Sequence, residues 1–466
     1  MKTLLLKTFA IATRVAALSF ILSTVQVRAE EAAGDWTGIL GGQLHIVLHL
    51  TKSTGGHYSA SLESPDQGAF VLQAENVEVS ETHLGFSIPK ISASFEATWD
   101  ADKKSWTGTW KQGQSIPLTL WRPGTKSAGP KRPQEEAIAA APRPYQNREV
   151  TFDNLSAKVK LAGTFSVPVG PGPYRTVILI SGSGAQTRDE DISGHKIFLV
   201  LADALASRGI AVLRYDKRGV GASSGDFAVS TSVDFASDVD AAVAFLKTRP
   251  EVDQTEIGLI GHSEGGAIAP SVAVRNPSIA FSVLMAAPAM RTDKLTVLQE
   301  ALLAKAQGVP ENMIAARTAL GETLYAGLLA AKSSEEATAM ARQLVAQAVA
   351  GKVLPMNAAE ATIRQVTSPW FRQALGYDPV PVLRKLKTPV LVLNGLLDLQ
   401  VPAKENLALM REALKDNAGT TIVELPNLNH MFQTAKTGSP AEYGQIEETF
   451  SVPALKTITD WVAARK

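Results

Sequence analysis

Between residues 34 and 122 apolar positions alternate with polar ones. The stretch "GQLHIVLHL" puts Leu44, Ile46, Leu48 and Leu50 at a period of two, which predicts a strand with one buried face. "HYSASLES", "AFVLQAENVEVS", "HLGFSIP", "SASFEATWD", "SWTGTWKQ" and "SIPLTLW" continue the pattern, separated by turns such as "STGG" and "DADKK". About seven short strands of this kind predict a small antiparallel barrel or sandwich over residues 30–122. His45 and His49 are four apart, a metal-pair spacing on a helix. Along a strand four residues span roughly 13 Å, too far to share one ion, so no metal site is expected there.

Residues 123–148 carry five prolines between Pro123 and Pro144 and read as a linker, with room for a short helix at "QEEAIAAA". From 149 to 466 the pattern changes. Two strand-like pieces, "EVTFDN" and "VKLAGTFSVP", precede an alternation of apolar runs and amphipathic segments: "RTVILISGSG", "HKIFLVLADALASRG", "IAVLRYD", "VDFASDVDAAVAFLKTR", "EIGLIGHS", "GGAIAPSVAVRN", "IAFSVLMAAPA". Continuous apolar strands with helices between them predict an α/β fold, a mostly parallel sheet covered on both faces. The rhythm breaks over about 290–378, which is Ala-rich and helical, then resumes at "TPVLVLNG", "KENLALMREALKDN" and "TTIVELPN". Sheet elements bracket the helical stretch, so it is expected to be a cap inserted over the strand ends.

The chain of 466 residues exceeds one ordinary domain core. A net charge of +1, without a long basic or acidic run, predicts neither nucleic acid nor an anionic membrane surface as partner. There is no cysteine, which excludes disulfides, thiolate catalysis and cysteine-bound zinc. Lys2, Lys7 and Arg14, the apolar run Val15 to Val25, and Val27-Arg28-Ala29 read as a secretory signal over residues 1–29. The apolar run is too short for a confident membrane span. A periplasmic or extracellular protein is expected, without membrane insertion once the signal is removed.

The candidate chemistry lies in "IGLIGHSEGG", residues 257–266. An apolar strand runs straight into a helix with Ser263 at the turn, and Gly261 and Gly265 lie two residues to either side. Such a sharp turn brings backbone against backbone, lifts the serine hydroxyl above the sheet and aims the Glu264 N–H at the same point. A serine hydroxyl needs a base, and in this arrangement acid and then histidine follow it in the chain. Of seven histidines only His430 follows Ser263, and it lies in a loop after a strand. Asp398, just beyond the strand "TPVLVLNG", is the expected acid, ahead of Asp378, Glu405, Asp416 and Glu424. "LISGSGAQTRDED" can supply a second oxyanion N–H, assigned to Ser183 with Gly182 or Gly184 as alternatives.

These residues resemble the α/β-hydrolase superfamily, most closely its serine aminopeptidase-like branch and the bacterial esterase D type of carboxylesterase. The resemblance rests on "SGSGAQTRDE", "LRYDKRGVGASSG", "GLIGHSEGGAIAP", "SPWF", "PVLVLNGLLDLQVP" and "NLNHMF", which span residues 180 to 432. It implies that Ser263, Asp398 and His430 fall on the nucleophile, acid and base, and it implies no cofactor. Ser181-Gly182 stands where many members begin the oxyanion loop with His-Gly. Ser263 argues against dehalogenases and epoxide hydrolases, which use Asp. The expected function is hydrolysis of small-molecule carboxylic esters. An aminopeptidase is the alternative: "RDED", residues 188–191, could hold a substrate ammonium, whereas the plain reading makes it solvated or a helix cap. Iminopeptidases of this fold often carry Trp where Glu264 stands, which lowers the peptidase reading. A binding protein on an inactive hydrolase fold is the third reading, and an intact Ser–Asp–His set argues against it.

Overall fold

The computed structural model describes residues 32–40, 44–64, 71–112, 114–124 and 131–465; the expected signal segment lies outside them. The first sheet consists of β1 (Gly34–Leu40), β2 (Leu44–Lys52), β3 (Tyr58–Glu63), β4 (Val71–Gln73), β5 (Glu75–Val79), β6 (His83–Ile88), β7 (Ala93–Asp100), β8 (Ser105–Gln112) and β9 (Gln114–Trp121). Its order is β4-β3-β2-β1-β9-β8-β7-β6-β5. The two outermost strands, β4 and β5, are separated in sequence by Ala74 alone, whose N–H bonds Ala60 O at 2.9 Å. The edges of the sheet therefore meet, and the sheet curls into a barrel, which leaves few open edges. The described strands number nine rather than about seven, because "AFVLQAENVEVS" breaks at Ala74 and "GDWTGIL" pairs as a strand of its own. Trp36, Trp106, Trp110, Phe86 and Phe95 fill the interior. His49 bonds Asp35 at 2.7 Å across the β1–β2 pair.

The proline-rich segment contains α1 (Pro133–Ala140), which docks on more distant parts of the chain. Gln134 Oε1 accepts the N–H groups of Thr449 and Phe450, and Glu135 accepts the Lys196 N–H and the Thr449 hydroxyl. Arg132 donates to the carbonyls of Gly194, Gly444 and Ile446.

The second sheet begins with β10 (Tyr145–Asn154), β11 (Val159–Pro168) and β12 (Tyr174–Ile180). A two-stranded hairpin, β13 (Asp191–Ile192) and β14 (His195–Lys196), leads into α2 (Ile197–Ala206). β15 (Ala211–Tyr215), α3 (Ser232–Leu246), β16 (Val252–His262), α4 (Glu264–Arg275) and β17 (Ile279–Met285) follow. Then come α5 (Thr292–Ala306), α6 (Glu311–Ala330), α7 (Ser334–Ala350), α8 (Ala359–Thr367), α9 (Pro369–Leu375) and α10 (Val380–Leu383). The chain closes with β18 (Val390–Gly395), α11 (Ala403–Ala413), β19 (Thr420–Leu425), α12 (Pro440–Tyr443) and α13 (Val452–Ala463).

The strand order is β10-β11-β15-β12-β16-β17-β18-β19. Everything from β15 to β19 pairs in parallel, while β10 and β11 are antiparallel. Alternate residues of each strand feed opposite cores, as the pleat requires. In β12, Ile178 and Ile180 pack with α3, α4 and α11, and Val177 and Leu179 pack with α2 and α13. Such a sheet places the loops after β12, β16, β18 and β19 at one edge, where α/β folds bind ligands. Helices α5 to α9 have a core of their own, built on Leu324, Leu328, Ala341, Phe371 and Leu375. None of the described helices is long and apolar enough to cross a membrane.

His195 is buried, bonded to Thr449 Oγ1 at 2.9 Å and Tyr443 O at 3.0 Å. Burial and the Arg132 charge push its pKa down to about 4, while an unfolded histidine titrates near about 6.5. Between these values the unfolded chain takes up a proton that the folded one refuses. The stabilising contribution is therefore complete above pH ~6.5 and is lost as pH falls toward 4. His195→Gln is expected to flatten that part of the curve: unfolding midpoints measured across the window should fall less steeply for the variant than for the natural chain.

Candidate active site

The loop edge of the second sheet gathers the residues singled out from the sequence. Ser263 joins β16 to α4 at φ 53 and ψ −117, a backbone region that costs a non-glycine residue about 1–3 kcal/mol. The surrounding contacts hold it there. Its N–H donates to Met285 O at 2.9 Å, and its carbonyl accepts the Gly266 N–H at 2.9 Å. A methyl group on Gly261 would lie 2.1 Å from Gly265 O, and one on Gly265 would lie 2.0 Å from Ile180 O. The two glycines are thus required by backbone approach. Glu264 is the first residue of α4, where N–H groups lack intrahelical partners, and no acceptor among the described residues occupies its N–H.

His430 and Asp398 come together from separate loops. Asp398 follows β18 and His430 follows β19; both are buried, with His430 Nδ1 2.8 Å from Asp398 Oδ2. The other carboxylate oxygen, Oδ1, accepts the N–H groups of Gln400 and Val401, each at 2.8 Å, so both oxygens are held in place. His430 abuts the turn itself: its carbonyl lies 3.0 Å from His262 Nε2, and the two rings are 4.8 Å apart. Of the alternative acids, Glu424 pairs with Arg411 and Asp378 accepts the Val380 N–H.

The loop after β12 lies against Ser263. A Cβ on Gly182 would be 3.1 Å from Ser263 Cβ. The Gly182 N–H is already taken by Glu190 Oε1 at 2.6 Å, which removes Gly182 as an oxyanion donor. The Ser183 N–H has no acceptor among the described residues and Ser183 is exposed, so this donor is left available.

The run 188–191 is only partly solvated: Asp191 is exposed, while Glu190 is buried. Arg188 forks onto Asp216 at 3.1 and 2.8 Å, and Asp189 pairs with Arg214. Glu190 is fully buried and bonds His262 Nδ1 at 2.9 Å. The solvated reading holds for Asp191, which is exposed, and the helix-cap reading for the Asp189 carbonyl, which accepts the Phe198 N–H of α2 at 3.0 Å; Glu190 departs from both. Asp189 and Glu190 have internal cationic or N–H partners, so neither is free to hold a substrate ammonium.

Residues missed from sequence surround the turn. His262 and Glu264, on either side of Ser263, each enter a buried ion pair. Burial alone would lower the His262 pKa, but the Glu190 charge and hydrogen bond outweigh it and hold it above the usual histidine value. Burial would raise the Glu264 carboxyl, yet the Lys217 charge and hydrogen bonds from Ser232 and Trp370 bring it below the usual range. Lys217 Nζ lies 2.9 Å, Ser232 Oγ 2.5 Å and Trp370 Nε1 2.6 Å from that carboxylate. A lysine directly after an apolar strand, in "RYDKRG", was the available signal; only the fold gives its partner.

A parallel sheet with a serine turn after a central strand, an acid after β18 and a histidine after β19 defines an α/β-hydrolase. The family described as serine aminopeptidase, S33, matches residues 194–434, just over half of the chain, and the chain belongs to it. Esterase EstD of Thermotoga maritima is 27% identical over 303 residues, 65% of this chain and 64% of the relative. The uncharacterized protein PA2218 of Pseudomonas aeruginosa is 31% identical over 125 residues, 27% of this chain and 32% of the relative. The match thus spans less than two thirds of the length of these curated relatives. Among solved structures, the Pyrococcus furiosus esterase Pf2001 is similar at 17% identity over 73% of this chain and 99% of that one, with a TM-score of 0.43. The chain is an esterase-like α/β-hydrolase.

Gly265→Ala tests the turn. The added methyl meets backbone, which cannot rotate away, so a loss of about 1–3 kcal/mol in unfolding free energy is expected by urea titration.

Proposed function

We propose that this protein is an exported serine carboxylesterase. The observation that carries the reading is the buried His430–Asp398 contact beside a serine held at positive φ. Asp398 accepts from Nδ1–H and fixes the tautomer, so that Nε2 is the basic nitrogen. Ser263 Oγ attacks the ester carbonyl as His430 takes its proton. The N–H groups of Glu264 and Ser183 stabilise the oxyanion, and His430 then protonates the departing alcohol. Water, deprotonated by the same imidazole, attacks the acyl-enzyme and releases the acid.

Ester rather than peptide hydrolysis is favoured by the state of the nearby acids. Glu264 pairs with Lys217, Asp189 with Arg214, and Glu190 is buried against His262, so these three carboxylates are not free to bind an amino terminus; Asp191 is the one acid of the run left exposed. Helices α5 to α9 are read as a cap that shapes the acyl pocket; Trp370, from α9, reaches Glu264 beside the nucleophile. Export rests on the charged, apolar and small-residue pattern of residues 1–29.

Mature protein is to be assayed on p-nitrophenyl esters of graded acyl length and on amino-acid p-nitroanilides. Ser263→Ala is expected to lower ester kcat by a factor on the order of 10⁴–10⁶, and Asp398→Asn by about 10⁴. Anilide turnover exceeding ester turnover would establish the peptidase instead, and turnover of neither would favour a binding role. Expressed in a Gram-negative host, the full chain should yield an exported form whose first residue, by Edman sequencing, is Glu30.

A further inference from the structure

The two ion pairs beside Ser263 converge on one residue of the facing loop. Glu190, paired with His262, accepts the Gly182 N–H at 2.6 Å. Lys217, paired with Glu264, donates to the Gly182 carbonyl at 2.6 Å. Both backbone groups of Gly182 are thus gripped by buried charges, and each charge is anchored to a neighbour of the nucleophile. Lys217 has little freedom of its own. It is 4% exposed, and its ammonium sits 4.4 Å from the centre of the Phe235 ring. Its counterion is fixed in turn by Ser232 and Trp370.

In a trans peptide the C=O and N–H point in opposite directions, and the Gly182–Ser183 bond is trans. A lysine that holds the Gly182 C=O therefore sets the direction of the Ser183 N–H. We propose that Lys217 is a positioning residue of the oxyanion hole: it aims the Ser183 N–H through Gly182, and it holds Glu264, which carries the second donor, in the same grip. This rests on the esterase reading above. Lys217 touches neither the ester nor the reacting atoms. It acts by keeping the two donors aimed at one point before substrate arrives, which is what makes such donors effective. Glu190 does the complementary work on the other side of Gly182.

A buried ion pair can also be purely structural, and the experiment separates the two roles. Lys217→Met alone strands the buried Glu264 charge, so the decisive protein is the double variant Lys217→Met/Glu264→Gln, which removes both charges. Thermal unfolding reports whether it folds. Ester kinetics give kcat and KM separately. An alkyl trifluoromethyl ketone serves as probe: Ser263 Oγ adds to its carbonyl carbon, the serine proton passes to His430, and the ketone oxygen takes the negative charge in the hole.

A folded double variant is expected to lose on the order of 10²–10³ in kcat, with KM changed by less than about threefold. The ketone should bind more weakly by the same factor as kcat/KM falls. A folded double variant with wild-type kcat, or one whose kcat falls while ketone affinity stays unchanged, overturns the proposal. If the double variant does not fold, Lys217→Gln, which is polar but uncharged and shorter than lysine, replaces it under the same criteria. The natural chain and Ser263→Ala run alongside. Absence of ester turnover in the natural chain, or its survival in Ser263→Ala, would overturn the esterase reading itself.

Discussion

The site depends on one strained residue. Ser263 is held in a backbone region that side chains disfavour, and it stays there because β16, α4 and β17 pack too closely to allow another path. Gly261 and Gly265 lie against backbone at distances that no methyl group could occupy. The Ser263 N–H is tied to the end of β17. A cost of about 1–3 kcal/mol at one residue is small against the apolar burial of an eight-stranded sheet packed on both faces. The result is a hydroxyl that stands above the strand ends beside the Glu264 N–H, where loops from three other strands can meet it.

Charges around the turn are buried in complementary pairs. An isolated carboxylate in such a place would be protonated rather than charged. Lys217, Ser232 and Trp370 instead hold the Glu264 carboxyl below its usual range, and Glu190 holds His262 above the usual histidine value. The same pairs tie separate loops together. Glu190 links the loop after β12 to the turn, His262 links the turn to the His430 loop, and Trp370 links α9 to Glu264, the residue after Ser263. Rigidity of the site thus comes from a chain of hydrogen-bonded charges that crosses several otherwise independent loops.

Much of this was legible in the sequence because it depends on local rules. Alternation at a period of two marked the barrel strands. Continuous apolar runs such as "VILI" and "IGLIG" cannot be surface strands, and so marked a sheet covered on both faces. Glycines two residues either side of Ser263 marked a close turn. His430 emerged by elimination, since no other histidine follows the serine. The failures are equally physical. The split of β4 from β5 at Ala74 falls between Gln73 and Glu75 with no Gly or Pro in "AFVLQAENVEVS" to mark a turn. The run "RDED" has the composition of a surface segment; the pairing of Arg188 with Asp216 and of Asp189 with Arg214, and the burial of Glu190 against His262, depend on residues distant in the chain. Sequence leaves Gly182 as an alternative donor to Ser183, and only the tertiary structure puts Glu190 on the Gly182 N–H.

The sequence alone determined the succession of strands and helices, the sharp turn at Ser263 and the order serine, acid, histidine, because periodicity and steric demand act over a few residues. The tertiary structure alone decided that Asp398 meets His430, that the barrel closes on itself, and that Lys217 and Glu190 hold the two backbone groups of one glycine. Most of those contacts join residues tens of positions apart or more. They form where β-strand order and helix packing bring loop ends together, and no short-range pattern encodes that distance.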